Sequence, residues 1–449
     1  MSVAITAPPR ARLLCLALCL VACTACDLVR AAENKASAGW PAFRGPWGNG
    51  HVLAPGDTAP VGLPLKWSES ENVKWKTEIP FRGWSTPVVL DGAVWLTTAT
   101  EDGHEFFAIC VDAETGAIRF NEKVFENANP EPLDNGVNCY ASPSPVIEPG
   151  RVYVHFGSNG TACLDTATGK VIWSRKDLPC RHYRGPGSSP ILFEDLLILT
   201  FDGADQQYVT ALDTKTGKTV WRTDRSTKYT DLDDQGVVKA EGDFRKGFST
   251  PLVIEAGGKQ QLISIGSMAA FAYEPRTGKE IWTTRQPGHT PAPCPVFGDG
   301  LAYIVSGRGN AEFSAVRVDG QGDVTDTHVA WKATGAILPQ EPSPIIVDGL
   351  IYLLTNNGTA TCLEAASGMQ VWSERIGGNY VASPIYADGR LYFCSSQGKT
   401  TILRAGRNYE LLAENELADG FMASPATLGK ALILRTKTHL YRIEEAAAK

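Results

Sequence analysis

The sequence predicts an all-β fold: an eight-bladed β-propeller of four-stranded antiparallel blades, the last blade closed by an N-terminal strand. Three observations predict it. A short hydrophobic segment carrying Ser-Pro or a close variant occurs eight times, anchored at Pro87, Pro145, Pro190, Pro251, Pro295, Pro344, Pro384 and Pro425. The anchors lie 58, 45, 61, 44, 49, 40 and 41 residues apart, near the period of one four-stranded blade. The chain also holds complementary parts of one blade far apart. Only 24 residues follow Pro425, room for three strands ending near His439–Ile443. Asn72-Val73-Lys74-Trp75-Lys76-Thr77 reads as the missing fourth strand, and closure by it removes open edges between the first and last blades.

Residues Ser189 to Thr223 show how one blade is written. Ser-Pro-Ile-Leu-Phe is the first strand, Glu194-Asp195 the turn, Leu196 to Phe201 the second strand and Tyr208 to Asp213 the third. Thr219 to Trp221 opens the fourth. β-branched and aromatic runs bounded by Gly, Asp and Pro are strand signals. The proline removes a ladder donor and is tolerated at a strand start or edge. Asp-Gly or Gly-Gly recurs after the first strand, as at Asp91-Gly92 and Asp348-Gly349, and supplies positive φ for a tight hairpin. A Thr-Gly or Ser-Gly turn recurs before the fourth strand, with an aromatic residue four positions later: Phe120, Trp173, Trp221, Trp282 and Trp372. Trp331 closes the fifth blade after a longer, irregular turn at 319–326. Trp75 holds this position in the N-terminal strand, and the seventh blade is degenerate there, with Leu412.

Ahead of these repeats, Arg10 and Arg12 precede an apolar stretch, LLCLALCLVA, too short to span a bilayer. It reads as an export signal over residues 1–23. Leu20-Val21-Ala22-Cys23 resembles a bacterial lipobox, which implies acylation of Cys23, and Thr24 resembles the outer-membrane sorting pattern; cleavage after Ala25 is the alternative. Residues 24–39 form a polar, Ala-rich tether, and 40–449 form the single propeller. The formal net charge is −7, which argues against a uniformly basic face for nucleic acid. The seven cysteines from Cys110 onward match neither a disulfide framework nor a zinc site. They read as small core residues, with Cys139 and Cys180 the one pair near inter-blade loops.

Leu164-Asp165-Thr166-Ala167-Thr168-Gly169-Lys170-Val171-Ile172-Trp173 and Ala211-Leu212-Asp213-Thr214-Lys215-Thr216-Gly217-Lys218-Thr219-Val220-Trp221 resemble the tryptophan-docking motif of the pyrroloquinoline-quinone-like propeller repeats. The similarity covers roughly residues 65–449. Two branches share the motif, the quinoprotein alcohol dehydrogenases and the BamB-like outer-membrane assembly lipoproteins. The leader Trp40-Pro41-Ala42-Phe43-Arg44-Gly45-Pro46 resembles the opening of exported propellers of this superfamily. The resemblance implies that Trp75, Phe120, Trp173, Trp221, Trp282, Trp331 and Trp372 pack between blades, and that the tryptophans from Trp173 on are mostly buried. It assigns none of them a catalytic role.

A quinone-dependent dehydrogenase of this kind needs Ca²⁺ held by Glu, Asn and Asp oxygens, a carboxylate base and usually a pair of adjacent cysteines. The mature region has no adjacent cysteines and no H-E-x-x-H pair. The sequence around Asp231, Asp233 and Gln235 only faintly resembles a calcium loop. The expectation is therefore a protein that catalyses nothing, has no cofactor or metal, and binds an envelope protein, in the manner of BamB and the β-barrel assembly machinery. The alternatives are the dehydrogenase and a carbohydrate or small-ligand binder. Where the period stretches, the loops 126–139, 178–187 and 225–247 are long enough to be functional. They belong to consecutive blades and should rise together on one face. Their Asn138, Arg181, His182, Tyr183, Arg184, Tyr229, Asp231, Asp233, Asp234, Arg245 and Lys246 have the mixed aromatic and charged composition of a recognition surface. Trp84, Tyr140, Phe248, Tyr380 and Phe421, just ahead of the innermost strands, are candidates for the channel mouth or for inter-blade packing.

Overall fold

Alternating short strands and tight turns give eight four-stranded antiparallel sheets in the computed structural model, which describes residues 39–133, 136–229 and 231–445. The export signal, Cys23 and the tether to Ala38 lie outside the described residues. Blade 3 runs Ile191–Phe193, Leu196–Asp202, Gln207–Asp213 and Thr219–Asp224, within a few residues of its sequence reading. Its second strand is buried at every position, whereas the fourth is mostly exposed. Inner strands are covered on both faces by neighbouring blades, so they read as continuous apolar runs; outer strands reach the rim. The eighth blade comprises Ala426–Leu428, Ala431–Arg435 and His439–Ile443, completed by Val73–Glu78. That strand pairs antiparallel with the last, Thr77 opposite Leu440.

The aromatic series docks each blade on the next. The indole Nε1 of Trp173 donates to Thr214 O at 2.9 Å, and that of Trp221 to Pro275 O at 3.1 Å. Trp75, Trp331 and Trp372 do the same to Ala113, Ala365 and Gly406. For Trp75, Trp173, Trp221 and Trp331 the next blade's turn glycine lies beneath the ring. A Cβ on Gly217 would come within 2.6 Å of Trp173, and Gly217 has φ +68°. The turn therefore needs glycine both for its backbone and for the indole above it. Burial is uneven along the series. Trp75, Trp221 and Trp282 are buried, but Trp173, Trp331 and Trp372 are half-buried. They sit at the rim, with one face on the neighbouring turn and the other partly open. Trp282 departs from the pattern. Gly322–Asp323, from the irregular turn of blade 5, adds in parallel to the outer strand of blade 4 with Gly322 opposite Trp282. The indole Nε1 turns to Gln261 Oε1.

The residue before each anchor proline is a second connector. Thr86 N donates to Ser144 Oγ, Ser144 N to Ser189 Oγ and Ser189 N to Thr250 Oγ1. The series continues from Cys294 N to Ser343 Oγ, Ser343 N to Ser383 Oγ and Ser383 N to Ser424 Oγ. All eight of these residues are buried. The result is a belt of hydrogen bonds around the ring that ties blade to blade. Thr86 Oγ1, at the seam between blades 8 and 1, has no hydrogen-bond partner among the described residues. Arg435 bridges that seam instead, donating to Ser85 O, Ser85 Oγ and Thr97 O.

The leader crosses the middle of the ring. Trp40 exchanges two backbone hydrogen bonds with Val89 of blade 1, and Pro41 O accepts from Ile147 of blade 2. Arg44, 3 % exposed, donates to the carbonyls of the anchor prolines Pro384 and Pro344 in blades 7 and 6. Gly50 O accepts from Tyr386, and His51 Nε2 lies 2.6 Å from Ile346 O. Burial lowers the Arg44 guanidinium to about 10, which leaves it charged at neutral pH.

Candidate functional site: a central cavity beneath a loop wall

Two residues ahead of each belt position, every blade contributes one side chain or backbone position to a central cavity of about 240 Å³: Trp84, Ser142, Gly187, Phe248, Ala292, Glu341, Val381 and Met422. Phe43 of the leader also lines it. Of the five aromatics expected near the mouth, Trp84 and Phe248 line the cavity; Tyr140, Tyr380 and Phe421 are buried in the blades.

The three long loops converge over this mouth. Arg181 pairs with Glu131 at 2.9 Å and with Glu241 at 3.5 Å, so one guanidinium joins all three. Asn138 Nδ2 donates to Arg184 O and Pro186 O, and Lys246 Nζ donates to Tyr183 O. The Tyr183 ring faces Arg181, Arg184 and Lys246, at 5.5, 5.1 and 4.6 Å. Cations near an aromatic face are attracted by its quadrupole. Lys246 is 1 % exposed and pairs with Asp243 at 2.5 Å; burial lowers its pKa against that pairing.

The longest loop is held at both ends by one residue. Asp202 takes Arg225 Nε and Nη2 at 2.8 and 2.6 Å, and its backbone carbonyl accepts from Gly247 N. Both side chains are 1 % exposed. Burial works against the Arg225 charge, and the Asp202 carboxylate outweighs it and holds the guanidinium above its ordinary value.

The predicted residues divide by position. Asn138, Arg184 and Lys246 line the cavity, and Arg181 and Tyr183 tie the wall together. Arg245 pairs with Asp231 at 2.7 Å and lies over Tyr229 at 5.2 Å, inside the 225–247 loop. Asp233 and Asp234 are exposed; Asp233 Oδ1 accepts from Gln235 N and Val237 N of its own turn. His182 is buried rather than presented, and burial pushes it down to about 4, so it is neutral. The seven described cysteines are free buried thiols, Cys139 and Cys180 included. Sequence reasoning missed the apolar part of the wall. Val137, Leu232, Val237 and Phe244 are 44, 48, 58 and 38 % exposed. Leu232 and Val237 stand on a small hairpin in which Asp233 N donates to Val237 O. Apolar residues inside an otherwise polar loop were the available signal.

The donor set does not suit a calcium-held quinone. Asp243 and Glu341, the carboxylates at the cavity, face Lys246 and Arg308 respectively. Among the described residues no group of three or more His, Cys, Asp or Glu could hold a metal ion.

The family model described as outer membrane protein assembly factor BamB matches residues 65–223 and 205–447. No curated protein sequence matches the chain. Among solved structures, a europium-containing methanol dehydrogenase is 12 % identical with a TM-score of 0.65, covering 89 % of each chain. BamB from Moraxella catarrhalis is 12 % identical with a TM-score of 0.55, covering 83 % of this chain and 99 % of that one. Quinohemoprotein alcohol dehydrogenase ADHIIG from Pseudomonas putida HK5 is 13 % identical with a TM-score of 0.61, covering 92 % and 82 %. At these identities the likeness is one of fold.

Proposed function

Because the chain belongs to the family of the outer membrane protein assembly factor BamB, we propose that it is a protein-binding platform of the bacterial envelope that catalyses nothing. The partner is an envelope protein, with a component of the β-barrel assembly machinery the leading specific version. Export by the 1–23 signal, with anchoring through Cys23, is part of the same reading. Among the described residues no helix is long and apolar enough to cross a membrane.

The observation that carries the proposal is the composition of the braced wall. Three loops joined through Arg181 and Asn138 hold exposed Leu232, Val237 and Phe244 among Asp233, Asp234 and Tyr229. Exposed apolar side chains rimmed by charges mark interaction surfaces. Bracing also lowers the entropy lost on binding. The dehydrogenase alternative lacks support from the cavity carboxylates, both of which are engaged by cations.

The test is affinity purification from the native envelope in mild detergent. A β-barrel assembly protein should co-purify with the parent and be lost from a Leu232→Ser/Val237→Ser/Phe244→Ser variant of unchanged melting temperature. Bound quinone after Ca²⁺ addition, with dye-linked alcohol oxidation, would overturn the proposal.

A further inference from the structure

Beside the wall the mouth has a second, open side. A groove of about 750 Å³ runs outward over blades 6 to 8 and the start of blade 1, within the usual range for ligand sites. It shares Trp84, Val137, Val381 and Met422 with the central cavity, so the two are continuous. Its most unusual residue is Phe81. The ring is 43 % exposed, and the backbone is left-handed with φ +64°. A bulky residue adopts that conformation only at a cost, and such residues gather at functional sites. One face of the ring stacks on buried Phe107, centroids 4.2 Å apart and planes 12° apart, which leaves the other face for solvent. The next residue is pinned, Arg82 exchanging two backbone hydrogen bonds with Ala99. Phe81 is thus a rigid, flat, outward-facing platform.

Amides flank the groove. Asn357 Oδ1 accepts the Thr355 hydroxyl at 2.6 Å, which leaves its NH₂ as the outward donor. Asn379 is exposed, its backbone N–H fixed by Gln397 Oε1 at 2.8 Å. The charges balance, Glu78 and Glu101 against Arg82 and Lys437. We propose that this groove binds a neutral saccharide chain. One pyranose stacks its C–H face on Phe81, and Asn357 and Asn379 take the hydroxyls. A balanced charge disfavours a polyanion. A flat ring with planar amides matches the apolar face and vicinal hydroxyls of a sugar, whereas an extended peptide is recognised mainly through a free strand edge. The groove borders the protein-binding wall at Val137, but Phe81, Asn357 and Asn379, which carry the inference, lie outside the three wall loops.

The test uses the purified protein and neutral tetrasaccharides of glucose, xylose, mannose and N-acetylglucosamine, read by tryptophan fluorescence and isothermal titration. At least one should bind. Phe81→Ala should weaken it tenfold or more and Asn379→Ala several-fold, each with the far-ultraviolet circular dichroism of the parent and a cooperative melt. The Leu232→Ser/Val237→Ser/Phe244→Ser variant should bind sugar as the parent does, which separates this proposal from the platform reading. The inference is overturned if no tetrasaccharide binds at millimolar concentration, if binding survives both Phe81→Ala and Asn379→Ala, or if a peptide array alone engages the groove.

Discussion

The backbone N–H of Ser144 donates to the hydroxyl of Ser189, 45 residues on and one blade away, at 2.9 Å. Both residues are buried, so removing the acceptor strands a donor without water. Ser189→Ala is expected to cost ~1–3 kcal/mol, seen as a lower denaturation midpoint. Ser189→Thr keeps the hydroxyl and should recover most of the loss. Equal midpoints for Ala and parent would refute the belt.

Trp221 rests on Gly278 of the next blade, where a Cβ would approach the indole to 2.4 Å. Trp221→Ala should cost ~3–5 kcal/mol through the cavity it leaves. Gly278→Ala should also destabilise, since it adds a clash at φ +69°. Thermal melts of the two variants check both.

Asp202 anchors the start and the end of the 225–247 loop. Asp202→Ala leaves the Arg225 charge buried without its partner, a loss of ~3–5 kcal/mol. The loop should also become accessible before the ring opens. Limited trypsin digestion is expected to cut at Lys239 or Arg245 in the variant well before the parent.

His155 and His182 are buried, and burial lowers them to about 3 and about 4. In the unfolded chain they bind protons near the ordinary histidine value of ~6.5, so the unfolded state takes up more protons between there and the folded values. Stability contributed by the neutral rings is complete above ~6.5 and is lost as pH falls towards 4, on the order of 3 kcal/mol for each. Denaturation midpoints measured from pH 7 to 4.5 should fall, and His155→Gln should flatten the slope.

Strand order was readable because each blade repeats its own turn chemistry: Glu194-Asp195 and Thr216-Gly217 sit where the structure turns. The role of the residue before each proline was not, because its partner lies a whole blade away. The same distance hid the wall. Arg181 and Glu131 are 50 residues apart, and only their charges, not their pairing, show in sequence. The mouth aromatics illustrate the limit further. Phe248 and Tyr380 occupy similar places ahead of their anchors, yet one faces the cavity and the other the blade interior, a difference of a single step in strand alternation.

Phe43 and Arg44 have a consequence for traffic. An unobstructed ring is a tube, and whatever enters one end can leave by the other. With the leader laid across blades 1, 2, 6 and 7, the ring is a cup. The leader stands in the path between the two faces, and the cavity is bordered on its other side by the loop wall. A molecule entering from the loop-wall side meets Phe43 of the leader within the cavity lining.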